Sequence, residues 1–190
     1  MSIKENVAEI RRRIAEIRPE GVILVAATKM NDAHRVREAI EAGVDACGEN
    51  KVQEFLEKDA LGAYEGAPKH FIGHLQTNKI KYMASFVSLI HGVDSLKLLK
   101  EIDKQAAKAG RRVKCLLQIH IAQEETKFGF SPNECKEMLA QGEWKELKNI
   151  QLCGLMGMAT NTDSTEQVRA EFSSLSSLFD ELKSAFFAPD

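Results

Sequence analysis

The amino-acid sequence predicts an α/β fold of the (β/α)8, TIM-type barrel class. Short apolar runs alternate with amphipathic segments along the chain, and this alternation is typical of parallel strands joined by crossover helices. Several runs are apolar almost throughout, as expected for strands that are covered on both faces or closed into a barrel. No glycine-rich dinucleotide fingerprint follows the first run, which favours a barrel over a Rossmann sheet.

The individual elements follow from periodicity. Ile3, Val7, Ile10, Ile14 and Ile17 recur at helical spacing and predict an amphipathic first helix. Six apolar runs then predict strands: VILVAA (22–27), DACGE (45–49), HFIGH (70–74), SLIHGV (88–93), VKCLLQIHI (113–121) and IQLCGLMGM (150–158).

The helices between these runs have recognisable ends. Gly43 and Gly110 stand where glycine commonly follows the last residue of a helix. Residues 131–134, Ser-Pro-Asn-Glu, form a capping box with proline at the first helical position. The last predicted helix carries one apolar side, formed by Val168, Phe172, Leu175, Phe179, Leu182 and Phe186.

The number of strands is smaller than a closed barrel needs. Such a barrel has eight strands and usually about 250 residues, whereas six strands are predicted in these 190 residues. Six strands leave two apolar edges unpaired, which proteins normally avoid. We therefore expect a single domain, residues 1–190, truncated after the sixth strand and its helix and lacking the last two strands. The alternative is that the open edges pair with another chain.

Composition argues against several classes of partner. The net charge of −2 does not fit a general nucleic-acid binder, whose surface would be basic. No stretch approaches the roughly 18 apolar residues that cross a bilayer, and the first residues lack the apolar core of a signal peptide, so no membrane partner is expected. The four cysteines, which lack zinc or CxxC spacing, indicate reduced thiols and a cytoplasmic location: Cys47, Cys115, Cys135 and Cys153.

Polar residues at the ends of the predicted strands are the candidates for function, because barrel active sites lie at the carboxyl ends of the strands. Lys29 ends the first run and is either a solvated lysine or an amine that forms a Schiff base with a carbonyl group. Asn50, three residues before Gln53, is either a helix N-cap or an amide that contacts a ligand. His70 and His74 lie four residues apart without an evident third ligand, so a metal site is disfavoured.

Several stretches, taken in order, resemble one protein family. They are LVAATK, GENKVQE, HFIGHLQTNK, HGVDS, LLQIHIAQEETKFGF and GLMGMA. They resemble the pyridoxal phosphate homeostasis proteins, which are single-domain relatives of the alanine racemase N-terminal barrel. The resemblance covers nearly all of residues 1–188.

The resemblance implies a cofactor and a set of site residues. The lysine that ends the first strand, here Lys29, would hold pyridoxal 5′-phosphate (PLP) as a Schiff base. Asn50 would lie near the cofactor, and His74 and Met156, at the ends of the third and sixth strands, would lie around its ring. The family's phosphate-holding stretches follow the seventh and eighth strands, and this sequence ends before both.

The same resemblance implies a role in vitamin B6 balance, with PLP buffered or passed to PLP-dependent enzymes by a monomeric protein. An alternative is a PLP-dependent enzyme with weak racemase or lyase activity. Against it, Tyr64 and Tyr82 do not stand at strand ends, and Cys47 and Cys153 are interpreted as core thiols. A third hypothesis is a cofactor-free module that pairs through its open sheet edges.

Overall fold

The computed structural model describes residues 2–124 and 128–187. The helices within these residues are α1 (Ile3–Ile17), α2 (Ala33–Glu41), α3 (Val52–Ala60), α4 (Leu96–Lys108), α5 (Pro132–Gln141) and α6 (Thr165–Phe186), with short 3₁₀ helices at Thr77–Tyr82 and Glu143–Glu146. The strands are β1 (Val25–Ala27), β2 (Ala46–Glu49), β3 (Lys69–Phe71), β4 (Leu89–Val93), β5 (Val113–Ile119) and β6 (Ile150–Gly157).

The six predicted strands are confirmed, and their order in the sheet follows the chain from β1 to β6. β1 pairs in parallel with β2, β2 with β3, and β5 with β6. The predicted first strand is too long at its start, because the N–H of Leu24 donates to the Asp45 carboxylate (2.6 Å) instead of to a neighbouring strand. The third strand ends at Phe71, so His74 lies beyond it.

The predicted helix ends are confirmed. Gly43 and Gly110 directly follow the C-caps of α2 and α4 and have φ of 98° and 64°, a conformation that glycine adopts without steric cost. Ser131 and Glu134 form both bonds of the capping box of α5. On α6, Leu182 is buried, whereas Phe172 and Phe179 are 45% and 40% exposed.

The described residues group into two compact units. The first comprises the chain up to Gly73 together with Phe86–Leu89. Its core centres on Phe55 of α3, whose ring lies edge-on to Tyr64 (5.5 Å between ring centroids) and Phe86 (5.0 Å) and tilted to Phe71 (6.1 Å). The same face of α3 buries Val52 and Lys58, so a charged side chain occupies a position of the apolar stripe.

The second unit comprises His74–Ser85 and the chain from Ile90 onward. Here β5 pairs with β6 over its whole length, with a shift of register between Cys115 and Leu116. α4 contributes four buried residues to this core, Leu98, Leu99, Ile102 and Ala106. Across residues 2–124 and 128–187, no helix combines the length and the apolar character needed to span a bilayer.

Candidate functional site

Lys29 lies on a tight turn just beyond β1. The N–H of Thr28 still donates to the Gly48 carbonyl of β2 (2.9 Å), and the N–H of Asn31 closes the turn on the Thr28 carbonyl (3.1 Å). Thr28 is buried and Lys29 is exposed. Within the described part of the chain, the Lys29 ammonium has no hydrogen bond or ion pair, so its amine is accessible to a ligand.

The residue after Lys29 has an unusual backbone. Met30 has φ of 60° and is the one non-glycine residue with positive φ among those that the structure describes. For an L-residue this conformation costs about 1–2 kcal/mol, and such residues concentrate at functional sites where tertiary contacts hold them. The contact here is a hydrogen bond from the Met30 N–H to Glu54 Oε1 of α3 (2.7 Å).

A fully buried carboxylate lies at the end of β2. Glu49 is 0% exposed, and its Oε2 accepts hydrogen bonds from Lys58 Nζ (2.7 Å), the Thr28 hydroxyl (3.0 Å) and the Tyr64 hydroxyl (3.3 Å). Its Oε1 accepts the Asn50 N–H at 2.9 Å. Every contact therefore comes from a donor, which is the environment that stabilises an ionised carboxylate in a protein interior.

Lys58 supplies the positive charge that balances the Glu49 carboxylate. Its ammonium donates to the Thr28 carbonyl (2.7 Å), to Glu49 Oε2 (2.7 Å) and to Glu54 Oε1 (2.6 Å), so all three of its protons are used. Burial alone would lower the pKa of Lys58, but its hydrogen bonds and attraction to Glu49 and Glu54 outweigh burial and raise it. We call Glu49, Glu54 and Lys58 the ion cluster.

The ion cluster contacts the backbone on both sides of Lys29. Lys58 binds the carbonyl of the preceding residue, Thr28, and Glu54 binds the N–H of the following residue, Met30. The sequence interpretation missed this cluster. One feature of the sequence indicates the cluster: Lys58 lies at helical spacing from Val52 and Phe55, two apolar residues on the same face of α3. Glu54 and Lys58 taken alone resemble an ordinary solvated pair four residues apart.

The pKa of Glu54 predicts how this contact responds to acid. The hydrogen bond from Lys58 lowers the pKa of Glu54 below its usual 4.5, with burial opposing and the Met30 N–H assisting. Because the pKa is lower in the folded state, the stabilisation is complete above the unfolded value and is lost as pH falls through the folded one. We expect Glu54→Gln to cost about 1 kcal/mol of unfolding free energy at neutral pH.

The measurement is urea unfolding of the wild-type chain and Glu54→Gln at a series of pH values. The difference between them should shrink steadily as the pH falls below 4.5, the ordinary value of the group. A difference that stays constant into acid would show that the Glu54 charge does not stabilise the fold.

Asn50 follows β2 directly. The N-cap of α3 is Lys51, without a side-chain bond, so the interpretation of Asn50 as an N-cap is wrong. Asn50 Oδ1 is buried and has no hydrogen-bond partner within the described residues. Gly73 lies against the Asn50 backbone, because a Cβ at Gly73 would overlap the Asn50 carbonyl oxygen. A buried acceptor without a donor is costly, so Asn50 Oδ1 is suited to a ligand that donates a hydrogen bond.

His74 and Met156 belong to the second unit. The His74 ring stacks on Phe128, with 3.8 Å between centroids and 13° between planes, and its Nδ1 lies 3.4 Å from Asp94 Oδ2. Ser95, the residue after Asp94, is the N-cap of α4, and its side chain accepts a hydrogen bond from the Leu98 N–H. Met156 lies in β6 opposite Gln118 of β5 and is partly buried. Residues 125–127, including Lys127 of the KFGF motif, lie outside the described part.

The structure thus places Lys29 and Asn50 in the first unit and His74 and Met156 in the second. The interpretation as a core thiol is confirmed for Cys47, which is buried, and is wrong for Cys153, which is exposed. Burial raises the pKa of the Cys47 thiol to about 11 and raises the pKa of the Tyr64 hydroxyl well above its usual range. Neither group exchanges a proton readily near neutral pH. No set of three metal-ligating side chains occurs within residues 2–124 and 128–187.

Comparison with known proteins identifies the family to which this chain belongs. The family model described as alanine racemase, N-terminal domain, matches residues 1–190. A pyridoxal phosphate homeostasis protein of Aquifex aeolicus is 39% identical over 161 residues, which are 84% of this chain and 69% of that protein. One of Pasteurella multocida is 33% identical over 193 residues, covering 97% of this chain and 82% of that protein. The chain belongs to the pyridoxal phosphate homeostasis protein family.

A solved structure agrees with this assignment. PipY of Synechococcus elongatus, a structure with PLP bound, superposes with a TM-score of 0.78 at 30% identity, over 93% of this chain and 83% of that one. The predicted fold class is confirmed: this member of the pyridoxal phosphate homeostasis protein family has the α/β fold of the alanine racemase N-terminal domain.

Proposed function

We propose that this chain binds pyridoxal 5′-phosphate through Lys29 and acts in vitamin B6 homeostasis. The observation that carries the proposal is the Lys29 amine, which is exposed and without a partner among the described residues on a turn held by buried charges. The names of the Aquifex aeolicus and Pasteurella multocida relatives and the PLP bound to PipY support the same cofactor.

The residues of the first unit fit this cofactor. When bound, PLP supplies an aldehyde carbon that condenses with a primary amine and releases water. Lys29 provides that amine, and its turn fixes the backbone from which the side chain extends. Asn50 Oδ1, the buried acceptor without a donor, would accept a hydrogen bond from the ligand. His74 and Met156 remain predictions from the resemblance, as contacts of the cofactor ring.

The cellular role follows from the family. A protein that holds PLP on one lysine buffers its concentration, and we propose PLP-dependent enzymes without cofactor as recipients, a monomeric state and a cytoplasmic location. The alternative of weak racemase or lyase activity needs an acid or base besides Lys29. The raised pKa values of Cys47 and Tyr64 make those two groups poor candidates.

The proposal is tested by absorption spectroscopy. The purified chain is incubated with PLP and dialysed, alongside Lys29→Ala and a matched control, Lys51→Ala, which removes another exposed lysine of the same unit. We expect a near-visible band in the wild type and Lys51→Ala that borohydride abolishes, and no such band in Lys29→Ala. A band that survives in Lys29→Ala would assign the cofactor to another lysine.

A further inference from the structure

We propose that Glu54 and Lys58 of α3 are positioning residues for Lys29, acting through the backbone on either side of it. As far as it concerns the cofactor, this inference rests on the proposed function. The contacts behind it, however, involve only protein residues. Two side chains from one turn of α3 form hydrogen bonds with the peptide groups on either side of the exposed Lys29.

The first contact fixes the peptide before Lys29. Lys58 Nζ donates to the Thr28 carbonyl at 2.7 Å. Lys58 is only 5% exposed, so little water competes for the bond, and a hydrogen bond from a charged donor is stronger than one between neutral groups. Thr28 is further tied by its N–H to Gly48 and by its hydroxyl to Glu49. The backbone that leads into Lys29 therefore has a defined position.

The second contact fixes the peptide after Lys29. Glu54 Oε1 accepts the Met30 N–H (2.7 Å) and Lys58 Nζ (2.6 Å) on one oxygen. Met30 is 92% exposed, so the packing of its side chain does not explain its left-handed conformation. The bond to Glu54 is the tertiary contact that favours this conformation, and the conformation sets the direction of the chain on leaving Lys29.

An ordinary surface ion pair between Glu54 and Lys58 would look different. An exposed Glu–Lys pair on a helix surface contributes a few tenths of a kcal/mol to the helix and needs no partner elsewhere. Here the Lys58 side chain is 7% exposed and that of Glu54 is 24% exposed. Both point toward the Lys29 turn and both use backbone groups of that turn. With its Cα fixed from both sides, Lys29 presents its amine from a constant position, which favours reaction with a bound aldehyde.

The test compares three variants of the full chain. Glu54→Ala removes both bonds of the carboxylate, whereas Glu54→Gln keeps an oxygen that can accept from Met30 and Lys58. Asp59→Asn is the matched control, because Asp59 lies on the same helix and its ion pair with Lys69 (2.6 Å) does not contact the Lys29 turn. Circular dichroism and melting temperature establish that each variant is folded.

Two measurements are made on each chain. The first, without cofactor, is the hydrogen-exchange rate of the Met30 N–H by NMR. The second is the rate at which Lys29 becomes labelled by PLP, trapped with borohydride and located by peptide mapping. In Glu54→Ala we expect Met30 exchange to rise at least about tenfold, since the bond to the carboxylate is lost, and Lys29 labelling to slow by about 10- to 100-fold. Glu54→Gln should restore most of both rates.

The possible results distinguish a positioning role of Glu54 from a general effect on stability. Faster Met30 exchange and slower Lys29 labelling in Glu54→Ala, with Gln rescue and an unchanged Asp59→Asn, support the inference. Wild-type rates in a folded Glu54→Ala overturn it, as does an equal loss in Asp59→Asn, which would indicate a general effect of stability. If Glu54→Ala does not fold, Glu54→Asp takes its place, because its shorter side chain draws the carboxylate back from the Met30 N–H: faster Met30 exchange and slower Lys29 labelling support the inference, and wild-type rates overturn it. A wild-type chain that is not labelled at Lys29 refutes the proposed function, while Met30 exchange still tests the positioning.

Discussion

Replacing Lys58 with methionine is expected to lower the free energy of unfolding by about 3–5 kcal/mol, because it leaves a buried carboxylate without its counter-charge. Glu49 is 0% exposed, and after the substitution its remaining partners are the Thr28 and Tyr64 hydroxyls and the Asn50 N–H. Methionine matches lysine in length and flexibility, so the loss reports the charge and its bonds more than a cavity.

Urea unfolding of the wild type and Lys58→Met measures this cost. Lys69→Met is the control, since Lys69 makes a part-exposed pair with Asp59, with side chains 28% and 26% exposed, and should cost about 1 kcal/mol or less. Adding Glu49→Gln to Lys58→Met should recover a large part of the loss, because the buried charge is then absent. Equal costs for Lys58→Met and Lys69→Met would contradict the interpretation of the ion cluster.

Gly73→Ala is expected to cost about 3 kcal/mol, the upper range for forcing an atom into a packed interior. A Cβ at Gly73 would overlap the Asn50 carbonyl oxygen and lie 2.8 Å from both its carbonyl carbon and its Cα. These are backbone atoms at the ends of β2 and β3, so relief requires the two strand ends to separate. Asn50 Oδ1 would then move, and PLP affinity should fall together with stability.

Thermal and urea unfolding, with a PLP titration, check this expectation. Gly66→Ala provides the comparison: Gly66 has φ of 84° but open space around its Cβ, so its cost of about 1–2 kcal/mol comes from the backbone conformation alone, whereas Gly73 does not have positive φ and its cost comes from the overlap. A Gly73→Ala chain as stable as Gly66→Ala would show that separating the strand ends costs no more than a strained backbone conformation.

The strands and the candidate lysine could be predicted from the sequence because each depends on a local pattern. An apolar run long enough for a strand, followed by a single cation, is visible without tertiary information. The start of β1 could not be predicted in the same way, because Leu24 bonds to Asp45, a side chain 21 positions away.

The ion cluster could not be predicted because its members come from different segments. Glu49 ends β2, whereas Glu54 and Lys58 lie on α3. Each charge taken alone fits a solvated position. The left-handed backbone of Met30 has no signal in the sequence, since methionine is not a residue that prefers it and the bond that supports it comes from Glu54. Their positions at strand ends made Lys29 and Asn50 candidates, and the resemblance assigned both to a cofactor, but neither indicated the charges that hold them.

The left-handed turn at Met30 limits whether Lys29 can be transferred to another protein scaffold with its orientation preserved. Its shape comes from Glu54 and Lys58, more than twenty positions further along the chain, so a transplant of the LVAATKMN segment into another scaffold would carry the amine without its orientation. The smallest transferable part runs from β1 through α3. For protein engineering, the candidate lysine of this protein is therefore a property of four consecutive elements, β1, α2, β2 and α3, and not of a loop.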